Sequence, residues 1–100
     1  MPVTPTTSQI RYLRGLAHPL KALLQVGGKG VTPALLAELD VALEHHELVK
    51  VKVAAEDRAA RAAMIESLAS GTGAALVQTI GHTAVLYRAN PERAGIVLPR

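Results

Sequence analysis

Apolar and polar residues alternate along this chain with two periods, and the switches between them mark the elements. After Ser8, whose hydroxyl suits an N-cap, Ile10, Leu13 and Ala17 recur at helical spacing, and Pro19 stops this first helix. Leu20 to Val26 is a short apolar run ending at Gly27, which reads as a buried strand. Thr32-Pro33 supplies an N-cap followed by proline at the first helical position. Leu35, Leu36, Leu39, Ala42 and Leu43 then form the apolar stripe of a second helix reaching about His46, with acids on its other face. From Leu48 to Val53 the period becomes two: Val49, Val51 and Val53 lie on one face of a strand, Lys50 and Lys52 on the other. Glu56-Asp57 suits a helix N-terminus, and Ala60, Met64, Ile65, Leu68 and Ala69 continue as a third helix that Gly71 and Gly73 end. Ala75 to Ile80 and Thr83 to Arg88 are two further strands, joined by Gly81-His82 as a two-residue hairpin with glycine first.

The order α-β-α-β-α-β-β predicts an α+β (two-layer α/β) domain with a four-stranded mixed sheet. Two strand–helix–strand units predict parallel pairing with right-handed crossovers, and the hairpin adds an antiparallel strand. Such crossovers place the helices on one face, leaving the other open to solvent, which accounts for Lys50 and Lys52. Residues 1–8, rich in Pro, Thr and Ser, are expected to be loose. Residues 9–100 are expected to form one domain, whose tail 89–100 is irregular because Pro91, Gly95 and Pro99 punctuate it.

Composition narrows the chemistry. A chain of 100 residues is long enough for one domain. It has no cysteine, which excludes disulfides, thiolate-bound zinc and a thiol nucleophile. Phe and Trp are also absent, so Tyr12 and Tyr87 are the only aromatic rings, and recognition of bases by aromatic stacking is poorly provided for. No apolar run is long enough for a membrane span and no secretory signal is visible, so a cytoplasmic protein without membrane contact is expected.

Charge is modest in total, +3, and uneven along the chain. Residues 1–37 contain Arg11, Arg14, Lys21 and Lys29 and no acid, residues 38–57 carry a net −4, and residues 58–100 a net +3. A carboxylate-free segment of that length makes a field of one sign if it folds as one surface, and nucleic acid is the first anionic partner to consider. Arg11, Arg14 and His18 share one stripe of the first helix.

Gly27-Gly28-Lys29-Gly30 joins a strand to a helix start. Glycines there let the backbone approach a phosphate, with helix N–H groups aimed at it and Lys29 adding charge; the plainer reading is a tight turn. The spacing is neither a Walker loop nor a dinucleotide fingerprint. His45-His46-Glu47 invites a metal reading, but neighbouring helical side chains point about 100° apart, and a helix C-terminus favours histidine by its dipole alone. No nucleophile elbow, zinc motif or carboxylate pair is present. No catalytic residue, metal, cofactor or small-molecule substrate is therefore assigned.

Four blocks in order resemble the CRM domain (chloroplast RNA splicing and ribosome maturation), most closely its bacterial stand-alone YhbY-type members. They are Tyr12-Leu13-Arg14-Gly15-Leu16-Ala17-His18-Pro19-Leu20-Lys21, Val26-Gly27-Gly28-Lys29-Gly30-Val31, Ala42 to Lys52, and Val77 to Arg88. The resemblance implies a single RNA-binding domain, KH-like in its Gly-x-x-Gly loop and similar in fold to the C-terminal domain of translation initiation factor three. It further implies a role in assembly of the large ribosomal subunit, with precursor ribosomal RNA as partner. Its loop lands on Gly27 and Gly30, and its basic surface on Arg11, Arg14, Lys21 and Lys29. His18 joins these by its place on the helix, and Lys50 and Lys52 by their sheet face. Many members carry Lys or Arg where this chain has Thr6-Thr7-Ser8-Gln9-Ile10, and Lys in the hairpin where His82 stands, so its positive surface is thinner. A reading from another class is a protein-interaction module that docks ribosomal proteins through a sheet edge or the acidic second helix.

Overall fold

In a computed structural model, which describes residues 5–27, 29–90, 92, 95, 96 and 98, the elements run α1 (Thr7–Ala17), β1 (Ala22–Val26), α2 (Pro33–His46), β2 (Leu48–Val53), α3 (Arg58–Thr72), β3 (Ala75–Ile80) and β4 (Thr83–Tyr87). The α+β class and the four-stranded mixed sheet are as expected. Gly28 and residues 1–4, 91, 93, 94, 97, 99 and 100 lie outside the described residues.

Caps set the helix starts. Thr6, not Ser8, caps α1: its hydroxyl accepts from the Gln9 N–H while the Gln9 side chain accepts from the Thr6 N–H, a reciprocal box that begins the helix two residues early. Thr32 accepts from the Leu35 N–H at 3.1 Å, and Asp57 from the Ala60 N–H at 2.7 Å. Gly73 ends α3 in a left-handed conformation. Gly71, expected to share that task, lies inside the helix. A Cβ there would stand 2.9 Å from Leu36 Cδ2, so its bare backbone lets α2 and α3 approach.

The strand order is β1-β2-β4-β3. β1 and β2 pair in parallel as expected, but β2 and β3 do not meet, because β4 inserts between them and is antiparallel to both. Burial explains the insertion. Ala84, Val85, Leu86 and Tyr87 are all buried, so β4 is apolar on both faces and belongs in the middle, while β3 exposes Leu76, Thr79 and Ile80 and belongs at the edge.

The expectation of all helices on one face is also corrected. Val26, Val49, Val51, Val53, Ala84 and Leu86 pack against Leu39 and Leu43 of α2 and Ile65 and Leu68 of α3. On the opposite face Leu48, Val77, Val85 and Tyr87 form a second cluster with Leu13 and Ala17 of α1, and Ile10, Ile96 and Leu98 pack on it. Leaving that second set in water would forfeit roughly 1.5–3 kcal/mol for each large side chain, so α1 covers it. α1 covers only part of the face, and Lys52 remains exposed beyond it.

Two polar contacts tie the far end of the sheet. Arg88 donates to Asp40 Oδ1 at 2.5 Å, to the Asp40 carbonyl at 3.0 Å and to the Thr72 carbonyl at 2.8 Å, joining α2 and the end of α3 to the strand that precedes it. Glu47, 3% exposed, sits at the C-cap of α2 and accepts from the backbone N–H groups of Asn90, Gly95 and Ile96. Burial pushes the neighbouring Tyr87 phenol above its ordinary value of 10.0, and the Glu47 charge pushes the same way. The folded chain thus favours the neutral phenol, a contribution that is whole below about pH 10 and is lost as pH rises beyond it. An alkaline absorbance titration is expected to show a late phenolate component that Tyr87→Phe removes. A folded wild type whose whole tyrosine signal titrates at about pH 10 would contradict this.

Candidate functional site

The sheet register decides which side chains share the α1 face. Lys50 stands opposite Ala22 and Val85, and Val85 opposite Gln78. The next row toward the strand ends is Gln25, Lys52, Thr83 and Ile80. The first of these rows meets α1, as does Ile80 from the second. Arg14 and His18 come down beside the first row, and with Lys50, Gln78 and Ile80 they line a depression of about 320 Å³. The Lys50 ammonium donates to the His18 carbonyl at 3.4 Å, so it sits under the last turn of α1 and answers the carbonyl end of that helix. Among the described residues, none in these two rows or lining the depression is acidic.

The glycine loop follows directly. Gln25, beside Lys52, is two residues before Gly27. The Gly30 N–H donates to the Gly27 carbonyl at 3.0 Å, closing the turn, and Gly30 has φ +73°, a conformation that disfavours any side chain. Lys29 is exposed at the tip. The side of the loop toward α3 is different in sign: Gly27 shares a cavity of about 530 Å³ with Glu56 and Asp57. An anion reaching this loop is therefore favoured from the Lys52 side and repelled from the α3 side.

The cations named from sequence do not all converge. Arg14, His18 and Lys50 share one depression, and Lys52 links it along the sheet to the loop with Lys29. Arg11 is exposed about one turn earlier on the same flank of α1. Lys21 precedes β1 and so lies at the opposite end of that strand from Lys29, roughly 16 Å away. Gly28 falls outside the described residues. Gln25, Gln78, Thr83 and Ile80 were not among the sequence-predicted site residues: the register puts Gln25 and Thr83 beside Lys52, and Gln78 and Ile80 line the depression with Lys50.

Two other features have plainer roles. His82 in the β3–β4 turn accepts through Nδ1 from Arg61 Nη1 at 2.8 Å, tying the hairpin to α3. The His45 and His46 rings are 6.5 Å apart, edge to face, and among the described residues no three His, Asp or Glu side chains are grouped as a metal site needs. No helix among the described residues is long and apolar enough to cross a membrane.

Comparison with known proteins gives a consistent result. Residues 6–88 match the CRS1 / YhbY (CRM) domain. A Haemophilus influenzae protein named "RNA-binding protein" is 50% identical over 97 residues, 97% of each chain. The Bacillus subtilis "Probable RNA-binding protein YqeI" is 40% identical over 94 residues, 94% of this chain and 98% of that one. The solution structure of the Staphylococcus aureus hypothetical protein SAV1595 superposes with a TM-score of 0.81 at 37% identity, covering 94% of this chain and 98% of the other. The fold defines an α+β domain with a Gly-x-x-Gly loop between strand and helix. The chain belongs to the CRS1 / YhbY (CRM) domain family.

Proposed function

We propose that this protein is a non-enzymatic RNA-binding protein of the cytoplasm that grips the RNA backbone during assembly of the large ribosomal subunit. Phosphates follow the acid-free face, from Arg11 and Arg14 past His18, Lys50 and Lys52 to the Gly27–Gly30 loop, where Lys29 and backbone amides receive the last of them. Lys21 contacts the strand from the far end of β1. The observation that carries the reading is the meeting of Arg14, His18 and Lys50 in one depression with no carboxylate in its lining among the described residues. The names of the relatives, RNA-binding proteins from several bacteria, point the same way. Backbone contacts position an RNA without reading its sequence, which suits a chain with so few aromatic rings.

The test is retention of large-subunit ribosomal RNA fragments across a salt series. With about four to six phosphate contacts to single-stranded RNA, the log–log slope is expected at roughly −3 to −4. Lys29→Ala/Gly30→Asp is expected to bind about tenfold more weakly while remaining folded. Equal binding by both proteins would make the glycine loop a turn and nothing more. Absence of binding by wild type would put docking on ribosomal proteins in its place.

A further inference from the structure

A second depression, of about 390 Å³, opens on the other flank of the last turn of α1. Its walls are aliphatic, from Leu16, Leu20, Leu23 and Leu48, and three of these are unusually exposed: 37%, 41% and 54% for Leu16, Leu20 and Leu23. Among the described residues its polar rim consists of Lys21, Lys50 and His46, and no carboxylate lines it. Lys50 is common to this cavity and to the cationic depression beside Arg14. The cavity is thus an apolar hole opening from a track of cations. The larger cavity between α3 and β3, about 560 Å³, differs in having both Arg61 and Glu66 in its lining.

We propose that this cavity receives one unpaired nucleobase of the bound RNA, a purine in preference to a pyrimidine. The inference rests on the RNA-binding reading above and adds a subsite to it. An anchored phosphate at Lys50 leaves its nucleoside at the mouth of the leucine cavity, and Lys21, which also lines it, is placed for the next phosphate. The volume is in the range of small-ligand pockets, about 300–1,000 Å³. The floor is aliphatic, so it rewards buried area without the directional stacking of an aromatic ring, and the larger flat face of a purine buries more. Rigid duplex RNA keeps its bases stacked inside, so this subsite makes the protein prefer a loop, bulge or single strand.

The experiment compares binding of short oligo(A), oligo(U) and a ribose-phosphate chain of equal length lacking bases, at fixed salt, to wild type and to Leu16→Ser/Leu23→Ser. Wild type is expected to bind oligo(A) about tenfold more tightly than the abasic chain, with oligo(U) between. The variant is expected to lose that difference while keeping its abasic affinity and salt slope. On unmodified protein, methyl resonances of Leu16, Leu20 and Leu23 are expected to shift with oligo(A) and stay in place with the abasic chain, which tests the cavity even if the variant is unstable. Equal wild-type affinity for all three polymers, or leucine methyls indifferent to the base, overturns the subsite and leaves the backbone track standing. Failure of wild type to bind any of them overturns both.

Discussion

Glu47→Ala is expected to lower the stability of the fold by about 3 kcal/mol, which for a domain of this size is a fall in Tm of roughly 15 °C. The carboxylate is buried and accepts three backbone N–H groups, from Asn90, Gly95 and Ile96. Truncation leaves those donors unpaired at about 1–3 kcal/mol for each that water cannot reach. It also frees the segment that carries Ile96 and Leu98 onto the α1-side cluster. The backbone of Glu47 makes the series sharper. It has φ +61° with ψ −39°, a positive-φ conformation outside the left-handed helical well that glycine tolerates and other residues adopt at a cost of about 1–3 kcal/mol. This position is therefore held for its side chain against its backbone preference. Glu47→Gly should be more stable than Glu47→Ala by about that amount, with both below wild type, and Glu47→Gln should recover part of the loss. Chemical denaturation of the four proteins checks the order. A glycine variant no better than alanine would remove the backbone term, and a loss below about 1 kcal/mol for alanine would mean the carboxylate does not hold the segment. Amide exchange at Gly95 and Ile96 should accelerate in the alanine variant before the rest of the chain does.

Glu47 also shows where sequence reading stops. The helix and strand boundaries were legible to within about two residues, because periodicity and caps are local: Thr32-Pro33 and Asp57 announce α2 and α3 wherever those helices end up. The arrangement of elements is not local. β4 could have been placed centrally from Ala84-Val85-Leu86-Tyr87, an apolar run with no polar alternation, but the hairpin rule and the crossover rule each fit several strand orders. The covering of the second face by α1 follows from Leu48, Val77, Val85 and Tyr87 needing a partner, and those residues share a face only once the order is known. The candidate site divides in the same way. The Gly27–Gly30 turn is written in consecutive residues. The nearness of Arg14 and His18 to Lys50 depends on α1 lying across β2, and Lys50 and Lys52, read as an open face, prove to connect helix and loop. At Glu47 the visible oddity was an acid where a helix commonly ends in glycine. Its partners are 43 to 49 residues further on, beyond any local pattern.

Arg14→Gln/Lys50→Gln is expected to weaken RNA binding roughly a hundredfold at low salt and to flatten the log–log salt slope by about 1.4. Each side chain stands for one phosphate contact, a charge-assisted bond of about 1.5–3 kcal/mol, and each contributes about 0.7 to the slope on a single strand. Both side chains lie at an exposed depression, and the Lys50 bond to the His18 carbonyl is an exposed one, so the variant should unfold close to wild type. Loss of net charge alone predicts a smaller effect, independent of position. Arg58→Gln/Arg61→Gln makes the same change in charge on the α3 side, where both arginines line a cavity with Glu66. That pair should move affinity severalfold at most. Equal losses for the two pairs would mean that RNA feels only the overall field of the protein. A hundredfold loss confined to Arg14 and Lys50 would mean that the phosphates lie along the face where α1 crosses the sheet. The flattened slope separates this from a folding defect, since an unfolded fraction lowers apparent affinity without changing how many counterions the bound complex releases.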